Sequence, residues 1–150
     1  MNELDINTAV ARQVLTGFIR SEITRMGFER AVIGLSGGID SALSCYLAAE
    51  ALGPQNVLAV RMPYRSSSAD SLEHAQWVID ALGVQSLTVE ITDMVEPLFE
   101  RFADMNAMRK GNIMARQRMI VLYDQSAAFN GLVVGTGNKT EILMGDITLY

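Results

Sequence analysis

Six consecutive residues, Ser36-Gly37-Gly38-Ile39-Asp40-Ser41, have the composition of a phosphate-binding loop. The two glycines let the backbone turn sharply and come close to a ligand. Ahead of them runs the apolar stretch Ala31-Val32-Ile33-Gly34-Leu35, and behind them an Ala- and Leu-rich segment from Ile39 to Leu52. The loop therefore joins a buried strand to a helix, and the free amides and positive end of that helix attract an anion. Ser36 and Ser41 add hydroxyl donors. Asp40 would repel bare phosphate, but a magnesium ion held between it and the phosphates removes the conflict. The pattern is neither GxxxxGK[ST] nor GxGxxG, so it is not the common kinase loop or a dinucleotide-reductase turn. A plain glycine turn is the alternative; the flanking strand and helix and the completing Asp-Ser pair favour phosphate binding.

Far downstream, Gly135-Thr136-Gly137-Asn138-Lys139-Thr140-Glu141 follows another apolar run, Leu132-Val133-Val134. Glu141 is either a second metal-binding carboxylate, the favoured reading, or a helix-cap acid. Lys139 is equally a phosphate contact or a solvated loop lysine.

The elements that must position these loops follow from periodicity. Apolar residues at three- and four-residue spacing predict a helix over about residues 4–26, ended by Gly27. Helices are also expected over 39–52, 69–82 (capped by Ser67 or Ser68), 93–105 and 113–129, with 105–112 as a loop. Strands are expected at 31–35, 57–62, 87–91 and 132–134. Strands alternating with helices imply an α/β fold: a doubly wound parallel sheet with helices on both faces. Right-handed crossovers favour the strand order 3-2-1-4. Ligands bind such sheets at the carboxyl ends of the strands, where the winding reverses. That point lies between the first and fourth strands, so the two loops meet in one crevice.

The chain has 150 residues, enough for a single domain over 1–150, and 49% of them are hydrophobic against 19% charged. Net charge is -5 and the pI about 4.8, with no dense Lys/Arg cluster, which argues against a nucleic-acid partner. Cys45 is the only cysteine, which excludes disulfides and CxxC pairs. No signal-like start and no apolar run of roughly 18 residues is found, so a cytoplasmic protein without a membrane partner is expected.

Ser36 to Ser41 resembles the signature of the N-type ATP pyrophosphatases, which cleave ATP between its α and β phosphates. That superfamily includes synthetases of NAD, GMP, asparagine and argininosuccinate, as well as tRNA-thiolating enzymes. Gly135 to Glu141 looks like the matching segment of NAD synthetases. Arg61-Met62-Pro63-Tyr64-Arg65-Ser66-Ser67-Ser68 is similar to the stretch after their second strand. Gly111-Asn112-Ile113-Met114-Ala115-Arg116-Gln117-Arg118-Met119 resembles their N-x-x-A-R-x-R-M segment. These four segments cover residues 31–150 and point to the ammonia-dependent type.

The resemblance implies an adenine nucleotide alpha hydrolase-like sheet and a ligase without a nucleophilic side chain. Gly34, Leu35, Ser36, Gly37, Gly38, Ile39, Asp40 and Ser41 would hold ATP phosphates, and Arg61 and Thr136 would contact the nucleotide. Asp40 and Glu141 would hold Mg2+, and Arg116 would contact deamido-NAD. The substrates would be deamido-NAD, ATP and ammonia, with an acyl-adenylate between them, and the assembly a homodimer. Family domains continue past Tyr150 with further lysine and threonine contacts and a mobile loop, so activity of the 150 residues alone is not implied. Ammonia, free or delivered by a separate subunit, is the expected nitrogen donor, since no glutaminase precedes Met1 and Cys45 lies inside a helix. The alternatives are a non-catalytic nucleotide-binding module and a related enzyme acting on RNA.

Several residues have plainer readings. Arg116 and Arg118 stand two apart on a helix, so at most one faces the crevice; Arg116 is favoured, leaving Arg118 as a surface or subunit contact. His74 is expected in surface or core packing and Cys45 in packing, while Met114, Met119 and Met144 serve as apolar filler.

Overall fold

A computed structural model describes residues 6–144. Strands β1 (Ala31–Gly34) and β2 (Val57–Arg61) form the centre of a four-stranded sheet. They run parallel, in register from Ala31 opposite Val57 to Gly34 opposite Val60. β3 (Gln85–Thr88) lies parallel to β2, and β4 (Leu132–Val133) parallel to β1. The order is β3-β2-β1-β4, as the alternating elements require.

Side chains of β1 and β2 alternate between two cores, because successive residues of a strand point to opposite faces. Ile33, Val57 and Ala59 face helices α2 (Ile39–Leu52) and α3 (Ala69–Leu82), meeting Cys45, Ala48, Ala75 and Ile79. Val32, Leu58 and Val60 face α5 (Ala107–Phe129) and its Val121. The alanines of α2 let that helix approach the sheet closely. Ser68 caps α3 by accepting from the Ser71 amide, and Gly83 ends it in the left-handed region at φ 66°.

The remaining helices are α1 (Thr8–Arg25), α4 (Thr92–Arg101) and α6 (Lys139–Met144). Leu4 of the expected first helix lies outside the described residues. In α1 only Ile23 is buried, whereas Val14 and Phe18 of the apolar stripe are exposed. The expected loop over 105–112 is a correction: Asn106 caps α5 by accepting from the Arg109 amide, and residues 107–112 are helical. Arg109-Lys110-Gly111 lacks the apolar residues that mark a helix, but the cap starts it anyway. α4 stops at Arg101, short of the expected 105. β3 begins two residues before the apolar run that announced it. No described helix is long and apolar enough to cross a membrane.

Candidate functional site

The loop after β1 enters α2 through Gly37, at φ +87°, and Gly38, the N-cap. A Cβ at Gly37 would stand 2.1 Å from the Ser71 carbonyl oxygen, so only glycine lets the loop pass under the start of α3. Inside the loop, the Ser41 hydroxyl donates to the Gly38 carbonyl at 2.9 Å and accepts from the Ser36 amide at 3.2 Å. Ser41 is buried, so its hydroxyl ties the loop into shape instead of facing solvent. Ser36 Oγ accepts from the Gly38 amide at 3.2 Å. Among the described residues no side chain caps the first turn of α2, so its amides and the positive end of the helix dipole remain available.

Asn138 connects this loop to the one after β4. Its Nδ2 donates to Asp40 Oδ2 at 3.3 Å, while its own amide donates to Glu141 Oε2 at 3.0 Å. Glu141 returns an amide bond to Asn138 Oδ1 at 2.9 Å, a reciprocal cap that starts α6. The two carboxylates thus flank one asparagine although they come from opposite ends of the sequence. Among the described residues no third carboxylate, histidine or cysteine joins them. Magnesium keeps few protein ligands, so two carboxylates are a sufficient protein contribution for it.

Beside the loop, at the carboxyl ends of β1 and β2, opens a cavity of about 470 Å³ lined by Gly34, Leu35, Ser36, Arg61, Arg118 and Thr136. That volume is in the range of small-ligand sites, about 300–1,000 Å³. Ser67, Ser68 and Ser71 add polar groups at its wall. The Arg118 Nε donates to the Met62 carbonyl at 3.0 Å, and burial lowers its pKa while leaving it a cation. Arg61 donates from Nη1 to Gln76 Oε1 at 2.6 Å. Its Nε is buried with no partner among the described residues. The segment after β2 is strapped to α4: Tyr64 donates its hydroxyl to Glu96, Arg65 pairs with Glu96 at 3.1 Å, and the Arg65 amide donates to Thr92 Oγ1 at 2.9 Å. The hydrogen bond to Glu96, more than burial, raises the Tyr64 pKa.

Of the residues expected at a nucleotide, Gly34, Leu35, Ser36, Arg61 and Thr136 line this cavity. Gly37, Gly38 and Ile39 lie along a shallower apolar groove on the far side of the loop, with His74 and Trp77. Asp40 sits at the junction with Asn138. Arg116 is exposed outside the cavity and donates to the Asn112 carbonyl at 3.2 Å. Of the two arginines on α5, Arg118 is the one at the cavity. Its signal was present in the sequence: Ala115, Met119 and Leu122, at helical spacing around it, line the same wall. Met119 lines the cavity and, like Met144, is exposed and not core filler, while His74 is exposed and Cys45 fully buried, its thiol pushed up to about 11.

Comparison with known proteins identifies the fold and the family. The family model described as NAD synthase matches residues 11–150. An NH(3)-dependent NAD(+) synthetase from Trichlorobacter lovleyi is 57% identical over 150 residues, covering 100% of this chain and 55% of the relative. An NH3-dependent NAD synthetase from Campylobacter jejuni superposes with a TM-score of 0.91 at 35% identity, over 97% of this chain and 63% of that one. A glutamine-dependent NAD+ synthetase from Acinetobacter baumannii, solved in complex with ADP, gives 0.89 at 35% identity, over 100% of this chain and 29% of that one. The chain spans about half the length of the curated relatives it matches.

Proposed function

The chain belongs to the NAD synthase family, and from that premise we propose that its residues form the ATP-binding part of an ammonia-dependent enzyme that amidates deamido-NAD to NAD. The observation that carries the reading is the convergence of Ser36, Arg61, Arg118 and Thr136 on one cavity at the carboxyl edge of the sheet. The relatives are named as NH(3)-dependent NAD(+) synthetases, which supports this reaction, and a glutamine-dependent NAD+ synthetase from Acinetobacter baumannii that shares the fold was solved with ADP.

A carboxylate resists attack by ammonia until one oxygen becomes part of a good leaving group. The nicotinate carboxylate of deamido-NAD attacks the α-phosphorus of ATP, pyrophosphate leaves, and an acyl-adenylate forms. Ammonia then attacks the activated carbonyl and releases AMP. The protein positions the reactants and stabilises charge without a covalent step of its own. The open amides of α2 receive phosphate oxygens, and the Arg61 and Arg118 guanidiniums offset the negative charge along the cavity. Asp40 and Glu141 would hold Mg2+, which would supply positive charge to offset that of the pyrophosphate. Arg116 is assigned to deamido-NAD on resemblance; its exposed position outside the ATP cavity suits a second substrate arriving from solvent.

We read the assembly as a homodimer in the cytoplasm, where ATP is supplied. Exposed Ile120 and Tyr123, both 62% accessible on α5, are the kind of apolar surface a second copy would cover. Pyrophosphate release, measured with ATP and a panel of carboxylic acids, tests the function. Release that depends on deamido-NAD is the expected result; release with no dependence on the acid would refute it.

A further inference from the structure

We propose that Gln76 and Asp80 are positioning residues that hold the Arg61 guanidinium ready for an anionic ligand without neutralising it. The inference rests on the reading that Arg61 faces the nucleotide. Arg61 ends β2, and its Nη1 donates to Gln76 Oε1 at 2.6 Å. The Gln76 Nε2 in turn donates to Asp80 Oδ1 at 2.7 Å. Gln76 and Asp80 stand one turn apart on α3, the spacing at which helix side chains meet. The helix itself is fixed from below by Ala75 and Ile79, which are 1% and 6% exposed in the core beneath the sheet.

The chain of contacts has a direction. An amide turned the other way would aim its NH2 at a guanidinium and its oxygen at a carboxylate, two repulsive contacts in place of two attractive ones. Asp80 therefore selects the amide orientation, and the amide oxygen then orients Arg61. A glutamate at 76 would hold the arginine more strongly, but as an ion pair that cancels its charge. None of the ion pairs among the described residues involves Arg61. Among the described residues its Nε is buried without a partner. A cation held by a neutral acceptor, with donors left over and a wall position in the cavity, is arranged to receive an external anion. The negative charge that sets the geometry is kept one residue back, on Asp80.

The test is calorimetric titration of ATP with magnesium into the full chain, alongside thermal melting of each variant. Gln76→Leu and Gln76→Glu should each weaken ATP binding about tenfold, the scale of a lost hydrogen bond to a charged group. In an Asp80→Asn background, which removes the repulsion between facing carboxylates, Gln76→Glu should melt at or above its Asp80→Asn parent, which a merely structural glutamine does not predict. Asp80→Ala should cost about threefold, and Asp80→Asn, which keeps the acceptor, should recover most of it. In an Arg61→Ala background the Gln76→Leu change should add less than about twofold, since the pair acts through one group. If Arg61→Ala weakens binding while Gln76→Leu and Gln76→Glu match wild type, the positioning role is wrong and the nucleotide reading stands. Wild-type chain that binds no ATP overturns that reading, and this inference with it.

Discussion

Replacing Gly37 by alanine should damage both fold and ligand binding, and the size of the effect follows from two separate costs. Gly37 sits at φ +87°, where a side chain costs roughly 1–2 kcal/mol. The added Cβ would also stand 2.1 Å from the Ser71 oxygen, 2.8 Å from its carbonyl carbon and 2.9 Å from its Cα. These are backbone atoms at the N-terminus of α3, so relief requires moving the helix that Ser68 caps. Overpacking of this kind costs typically about 1–3 kcal/mol. The sum, roughly 2–5 kcal/mol, is a large share of the ~5–15 kcal/mol that a whole domain has. Melting should fall by roughly 4–20 °C, and ATP affinity should fall with the displaced loop. Gly38→Ala is the control: Gly38 has φ -82° and its Cβ would meet only Ser36 Oγ, at 3.4 Å. That variant should melt close to wild type yet bind ATP more weakly, as the proposed approach of phosphate oxygens to the start of α2 requires. A Gly37→Ala protein melting within about 1 °C of wild type would refute the loop geometry and the reasoning from it.

Asp40→Asn should leave melting unchanged and weaken magnesium-dependent ATP binding by about 1–3 kcal/mol; equal titrations with and without magnesium would remove Asp40 from the metal site. Burial raises the Cys45 thiol from 9.0 to about 11, so the folded chain keeps a proton that the unfolded chain loses, and stability should fall as pH rises between those values. The loss should reach about 2–3 kcal/mol at the upper end, and Cys45→Ala, titrated by denaturant in parallel, should lack it. The 150-residue chain should form the sheet and bind ATP but turn over far less than a version extended to the length of its relatives, with NAD formation at matched concentration as the comparison. Comparable turnover by the two would place the whole active site within residues 1–150.

The strands of the fold were the most legible part, for a physical reason. Val32, Ile33, Val57, Ala59 and Val60 are buried on both faces of the sheet, so they form continuous apolar runs that few other structures require. The expected third strand starts late because its apolar residues are Leu87, Val89 and Ile91, whereas the regular pairing begins at Gln85. Backbone bonds nevertheless continue from the Val89 amide to the Arg61 carbonyl and from the Ile91 amide to the Pro63 carbonyl, at 2.8 and 2.9 Å. The start of α5 was hidden by Gly111 and two cations, while the Asn106 cap that decides it is a single side-chain bond. In the site, Ser36 to Ser41 and Gly135 to Glu141 were legible because their residue types are demanding. The inward turn of the Ser41 hydroxyl, the Asn138 bridge and the facing of Arg118 depend on contacts across the fold, which spacing alone does not encode.

The central claim is that the acid is activated by adenylation at this site, and oxygen labelling tests it most directly. Deamido-NAD carrying heavy oxygen in its nicotinate carboxylate is incubated with ATP, magnesium, ammonia and the chain extended to the length of its relatives. Mass spectrometry then follows the label into the products. Adenylation predicts one labelled oxygen in AMP and the other in the amide of NAD, with none in pyrophosphate. Label found in pyrophosphate, or AMP formed without it, would contradict the account.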